Sequence, residues 1–98
     1  MSQADADAAH RERTAQMIRL AECMAAGLAS DADPVQAEID SQYRTLTEMC
    51  AVSAEDYRAI GRGVVDNETW RNAYEAIAPG LAAYQRDAIE AYVATLLG

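Results

Sequence analysis

One histidine, His10, and two cysteines, Cys23 and Cys50, are the side chains from which nucleophilic or metal chemistry would have to be built in this 98-residue chain. Nucleophilic catalysis needs a thiol or hydroxyl held beside a base. His10 lies near an acidic end of the chain, and no Cys–His pairing is indicated. Metal sites of the Glu-x-x-His or His-x-x-x-His kind are absent. Two distant cysteines without neighbouring histidines give neither a zinc motif nor a disulfide framework, and they read as reduced thiols packed against helices. No carboxylate loop has a cation-binding signature. Gly61-Arg62-Gly63 lacks the flanking strand and the further glycines of a phosphate loop, so both glycines read as helix-packing or helix-ending residues. No catalytic residue, metal or cofactor is expected, and the chain reads as a non-enzyme.

Glu12, Glu22, Glu38, Glu48 and Glu75 fall at helix starts or on outward faces and read as solvated surface. The large side chains at inward helical positions are more informative. Five tyrosines occur in a chain without phenylalanine. A buried tyrosine hydroxyl requires a partner or a water, which a phenylalanine would not. Tyrosine and methionine together suit an apolar cavity with polar points in its wall. The residues expected to contact a ligand are Met24, Tyr43, Leu46, Met49, Cys50, Tyr57, Trp70, Tyr74 and Tyr84.

The elements that must position them are helices. β-Branched runs of period two are missing, so the expected fold is all-α with about five helices. Residues 1–7 read as a flexible acidic tail, and residues 8–98 as a single helical ligand-binding domain. The first helix spans about Ala8 to Leu28, with the stripe Met17, Leu20, Ala21, Met24 and Leu28. Asp33 before Pro34 reads as the cap of a second helix reaching about Ala51, with Val35, Ile39, Tyr43, Leu46, Met49 and Cys50 on its stripe. Ser53 and Asp56 form a capping box for a third helix, and Asp66 or Asn67 caps a fourth carrying Trp70, Ala73, Tyr74 and Ile77. Pro79-Gly80 ends the fourth. The last helix, about Leu81 to Leu97, is apolar widely around its circumference, as a central helix contacted on several sides would be.

A net charge of −8 repels phosphate backbones and anionic lipid, so neither nucleic acid nor a membrane surface is an expected partner. The N-terminus lacks the basic and apolar regions of a signal peptide, and no run is long enough to span a bilayer; a cytoplasmic location is expected.

The C-terminal half resembles the TipAS antibiotic-recognition domain, found at the end of MerR-type transcription activators and in stand-alone drug-binding proteins. The likeness begins at Gly61 and Val65-Asp66-Asn67-Glu68-Thr69-Trp70, passes Tyr74, and is strongest over Ile77-Ala78-Pro79-Gly80-Leu81-Ala82-Ala83-Tyr84-Gln85-Arg86-Asp87-Ala88-Ile89. Weaker similarity in helix pattern extends back through Asp33-Pro34-Val35. The resemblance implies a globin-like helical fold that closes around bulky hydrophobic peptide-derived antibiotics such as thiopeptides, or albicidin in related resistance proteins. Val52 stands where thiostrepton-binding members carry an alkylated cysteine, and Ser41, Gln42 and Tyr43 replace a histidine and aromatic residues on the second helix. Covalent capture is therefore not implied. The DNA-binding and coiled-coil segments of the activators have no counterpart in 98 residues, so the likeness is to the short forms that sequester a drug.

The expected function is accordingly non-enzymatic binding and sequestration of such an antibiotic, giving resistance or immunity, by a monomer or homodimer. The alternative is a helical interaction module that uses the same groove for a partner helix or a second copy of the chain.

Overall fold

The computed structural model describes residues 3–97. Its elements are α1 (Gln3–Ala25), α2 (Asp33–Met49), α3 (Ala54–Asp66), α4 (Glu68–Ile77) and α5 (Leu81–Tyr92), with a π-helical turn over Val93–Leu97 continuing α5. No strand occurs among the described residues, and the fold is all-α.

Side chains meet the orphan backbone groups at the starts of α3 and α4. The Asp56 N–H donates to Ser53 Oγ at 3.1 Å while the Ser53 N–H donates to the Asp56 carboxylate at 3.2 Å, closing the capping box of α3. The Trp70 N–H donates to Asn67 Oδ1 at 3.1 Å, so Asn67 rather than Asp66 caps α4. At α2 the cap residue is Ala32, without a side-chain bond, and Asp33 is the first helical residue. Its carboxylate still complements the positive end of the helix dipole. Pro34, next along, lacks only an N–H that would have been unpaired.

Two ends differ from the sequence reading. α1 opens at Gln3, so the segment expected to be a flexible tail is helical over its described part; residues 1 and 2 lie outside the described residues. α1 also stops at Ala25, ahead of Gly27, whose φ of 79° takes the chain through the left-handed region and out of the helix.

α5 is the central helix. It packs against each of the other four, and its buried residues Leu81, Ala82, Gln85, Ala88, Ile89 and Tyr92 lie well around its circumference. α3 approaches it most closely, through Gly61: a β-carbon there would stand 3.1 Å from Ile89 Cγ2. Leu20, Val35 and Ile39 complete the buried centre from α1 and α2. Gln36 ties α2 to α5 by donating to the Ser30 and Ala88 carbonyls at 2.9 and 3.1 Å, and Arg58 joins α3 to α5 through Glu90 at 3.1 Å.

The second half of α1 carries the buried Met17 and Leu20, whereas residues 5–13 are exposed throughout. The first half of α1 therefore projects from the core, leaving open space beneath it.

Candidate functional site

That space is a cavity of about 490 Å³ to which all five helices contribute. Each presents one face at helical spacing. α1 supplies Ala9, Glu12, Arg13, Gln16 and Met17; α2 supplies Gln42, Thr45, Leu46 and Met49. Tyr57, Ile60 and Val64 come from α3, Trp70 and Tyr74 from α4, and Gln85 and Ile89 from α5. The buried members, Met17, Tyr57, Val64, Tyr74, Gln85 and Ile89, form a floor, and the exposed ones form a rim. Met49 is 76% exposed and Trp70 40% exposed at that rim. A smaller cavity of about 370 Å³ lies between α1 and α4, lined by His10, Thr14, Thr69, Ala73 and Ile77, and shares Arg13, Met17, Trp70 and Tyr74 with the first.

Of the residues expected from sequence to contact a ligand, the structure brings Leu46, Met49, Tyr57, Trp70 and Tyr74 together on this wall. Met24, Tyr43, Cys50 and Tyr84 lie off it. Tyr43 is one residue, and so about 100° of helix, away from the Gln42 face. Its ring packs behind Tyr57 with centroids 4.8 Å apart, and its hydroxyl donates to the Val52 carbonyl at 2.7 Å. Tyr84 is similarly one step from Gln85, and its hydroxyl donates to the Leu28 carbonyl at 2.8 Å, holding α5 to the loop after α1. Met24 packs at the far end of α1, its sulfur 4.0 Å from where a β-carbon on Gly80 would lie. Cys50 caps the end of α2 and is exposed rather than packed.

The cavity residues that sequence reasoning passed over are mostly polar. Ala9, Glu12, Arg13, Gln16 and Met17 follow the helical spacing i, i+3, i+4, i+7, i+8, but of these only Met17 stands on the apolar stripe of the sequence, which misses the polar members. Gln85 had a usable signal: it stands in the apolar series Leu81, Gln85, Ala88, Ile89, Tyr92, where a polar residue is out of place on a buried face.

The floor residues are neutral, and the charged residues of the wall, Glu12 and Arg13, are exposed, with Arg13 reaching Tyr74. Burial pushes the Tyr57 phenol above its ordinary pKa, and the surrounding Tyr92, Tyr74 and Tyr43 rings add to the effect, so it stays protonated and can donate. Burial also raises Tyr74, against the opposing charge and hydrogen bond of Arg13. Behind the floor, Tyr92 donates to Asp40 Oδ1 at 2.6 Å, and Arg44 grips the other carboxylate oxygen at 2.7 Å. Among the described residues no group of three or more His, Cys, Asp or Glu is placed to hold a metal ion. None of the described helices is long and apolar enough to cross a membrane.

Two atoms in the floor stand out. The Tyr57 hydroxyl and Gln85 Oε1 are buried and have no hydrogen-bond partner among the described residues. Most buried polar atoms in proteins are paired, and an unpaired one inside a cavity points to a ligand or water.

No curated protein and no solved structure matches the chain. A family model described as the TipAS antibiotic-recognition domain matches residues 1–92. That match includes every residue of the cavity wall, from Ala9 to Ile89, and all five helices that position it. The chain belongs to the TipAS antibiotic-recognition domain family.

Proposed function

We propose that the chain binds a bulky, largely apolar, peptide-derived antibiotic of the thiopeptide or albicidin kind in the cavity between its five helices, without transforming it. Removing the drug from its target by mass action then gives resistance or immunity. The observation that carries this reading is an open, mostly apolar cavity of about 490 Å³ in a chain of an antibiotic-recognition family. Such a volume falls within the roughly 300–1,000 Å³ typical of pockets for drug-sized ligands. A larger antibiotic would bury its leading part and lay the remainder across Trp70 and Met49, whose apolar surfaces are already exposed.

The non-enzymatic part of the proposal rests on the wall itself. Its floor offers neutral tyrosine and glutamine side chains, and neither cysteine is among the lining residues. Exposed Met49 and Trp70 would also accept the apolar face of a partner helix, but unpaired polar atoms in the floor favour a ligand that carries polar groups inward.

The test is isothermal titration calorimetry against a panel of thiopeptides and albicidin-like compounds, with mass spectrometry of the recovered drug. Saturable binding at micromolar concentration or below and an unchanged drug mass are expected. A folded protein that takes up none of the panel would contradict drug binding, and an altered mass would contradict its passive character.

A further inference from the structure

Tyr57 and Gln85 are 3% and 2% exposed, and both line the main cavity. They come from α3 and α5, whose close packing fixes their mutual position. The Gln85 Nε2 donates to Gln42 Oε1 at 2.8 Å, which turns its carbonyl end to the unpaired side. The hydroxyls of Tyr43, Tyr84 and Tyr92, by contrast, are all engaged with carbonyl or carboxylate oxygens. Beneath the floor surface, two lining residues therefore hold one neutral O–H donor and one neutral carbonyl acceptor, both buried and unpaired among the described residues, beside apolar Met17, Val64 and Ile89; a ligand group reaches them once the side chains over them part.

We infer that this floor is a carboxamide subsite: the ligand's leading group is an amide whose C=O accepts from the Tyr57 hydroxyl and whose N–H donates to Gln85 Oε1. The inference rests on the reading of the cavity as the ligand site. A charged leading group fits poorly beside Tyr57 and Gln85, which are buried and neutral; the charged residues of the wall, Glu12 and Arg13, are exposed, and Arg13 is engaged with Tyr74. A hydrocarbon fits no better, since it would leave both polar atoms dry and unpaired. An amide carries one acceptor and one donor to match them and is uncharged.

Three probes of similar shape separate the two contacts: N-methylbenzamide, methyl benzoate, which keeps the C=O and lacks the N–H, and propylbenzene, which lacks both. Dissociation constants measured by ligand-detected NMR on the full chain are compared with those of Tyr57→Phe and Gln85→Leu, with Gln85→Met as a second replacement should the leucine variant not fold. Tyr57→Phe is expected to weaken the amide and the ester alike, by about ten-fold, and to spare propylbenzene. Gln85→Leu or Gln85→Met is expected to weaken the amide by a similar factor and to spare the ester. Tyr57→Phe removes an unpaired buried atom and no hydrogen bond, so its ligand-free melting temperature is expected to rise while amide affinity falls, a combination that general structural damage does not give; the Gln85 variants also lose the bond to Gln42 and are judged by the split between amide and ester. No saturable amide binding overturns the inference, as does a melting temperature that rises with all three affinities unchanged. Antibiotics that bind the variants as well as the parent chain would overturn the subsite and leave the drug-binding proposal standing. Probes that behave as expected beside antibiotics that fail to bind would do the reverse.

Discussion

Tyr57 and Tyr92 face each other edge-on, 6.0 Å between centroids, yet their hydroxyls do opposite things. The Tyr57 hydroxyl is buried without a partner among the described residues, whereas Tyr92 closes on Asp40. The Tyr92 hydrogen bond, with Arg44 assisting, holds the Asp40 carboxyl below its ordinary 3.8, while burial and then Asp40 push the Tyr92 phenol up to about 12. The stabilisation tied to Asp40 is present above its unfolded pKa and is lost as pH falls through the lower native value. That tied to Tyr92 is complete below 10.0 and is lost as pH rises through about 12. Tyr92→Phe is therefore expected to lower the melting temperature near pH 7, and the difference from the parent chain should narrow below about pH 4 in a pH series of thermal melts. The presence of five tyrosines and no phenylalanine announced that hydroxyls matter here. Which hydroxyl is free was not legible, because it depends on a carbonyl, a carboxylate or a cavity brought up from another helix.

The turn between α4 and α5 shows a carboxylate whose role appears only in three dimensions. Glu75 reads as surface in the sequence, but its carboxylate accepts from the Gly80 N–H at 3.0 Å and the Ala82 N–H at 3.1 Å, meeting orphan donors at the start of α5. These backbone bonds, Ala82 foremost, hold its pKa below the ordinary 4.5. The stabilisation is present above that value and is lost as pH falls through the native one. Glu75→Gln is expected to lower the melting temperature at pH 7 and to match the parent chain once the solution is acidic enough to protonate Glu75. A second element-scale dependence lies between α3 and α4. A β-carbon on Gly63 would stand 3.1 Å from Trp70 Cζ3, and the indole above it is partly exposed and free to shift outward. Gly63→Ala is expected to keep the parent chain's stability within about 1 kcal/mol, since alanine also favours the helix, while changing Trp70 emission and weakening ligand binding. Helix starts were legible wherever a side chain caps them, as at Ser53 and Asn67. The start of α2 was legible to within one residue from Asp33-Pro34, although Asp33 is the first helical residue and not the cap.

Across the whole molecule, the core and the cavity are divided by α1. Its second half is held by Met17 and Leu20 and by Arg19, which donates to Glu38 on α2 at 2.9 Å. Its first half touches the rest chiefly through the polar rim. Few buried apolar contacts there mean a low local opening free energy. Amide hydrogen exchange is therefore expected to be fast over residues 5–13 in the free protein, and to slow on addition of a ligand that fills the space against Ala9, Glu12 and Arg13. Slowing confined to residues elsewhere would place the ligand outside this cavity. The all-α class and the central position of the last helix were legible from periodicity alone. The face that α1 gives to the cavity was not, since the sequence pointed to Met24, whereas the lining residues Ala9, Glu12, Arg13, Gln16 and Met17 are mostly polar. The central claim, that the cavity receives an antibiotic, is tested most directly by Trp70, the single tryptophan, at its rim. Its fluorescence is titrated with thiopeptides and albicidin-like compounds in the parent chain and in Leu46→Asp, which sets a charge on the cavity wall. Saturable quenching in the parent chain that weakens at least ten-fold in the variant, with the helical circular dichroism of both intact, is the predicted result. A flat response in the folded parent chain, or equal affinity in the two proteins, would contradict it.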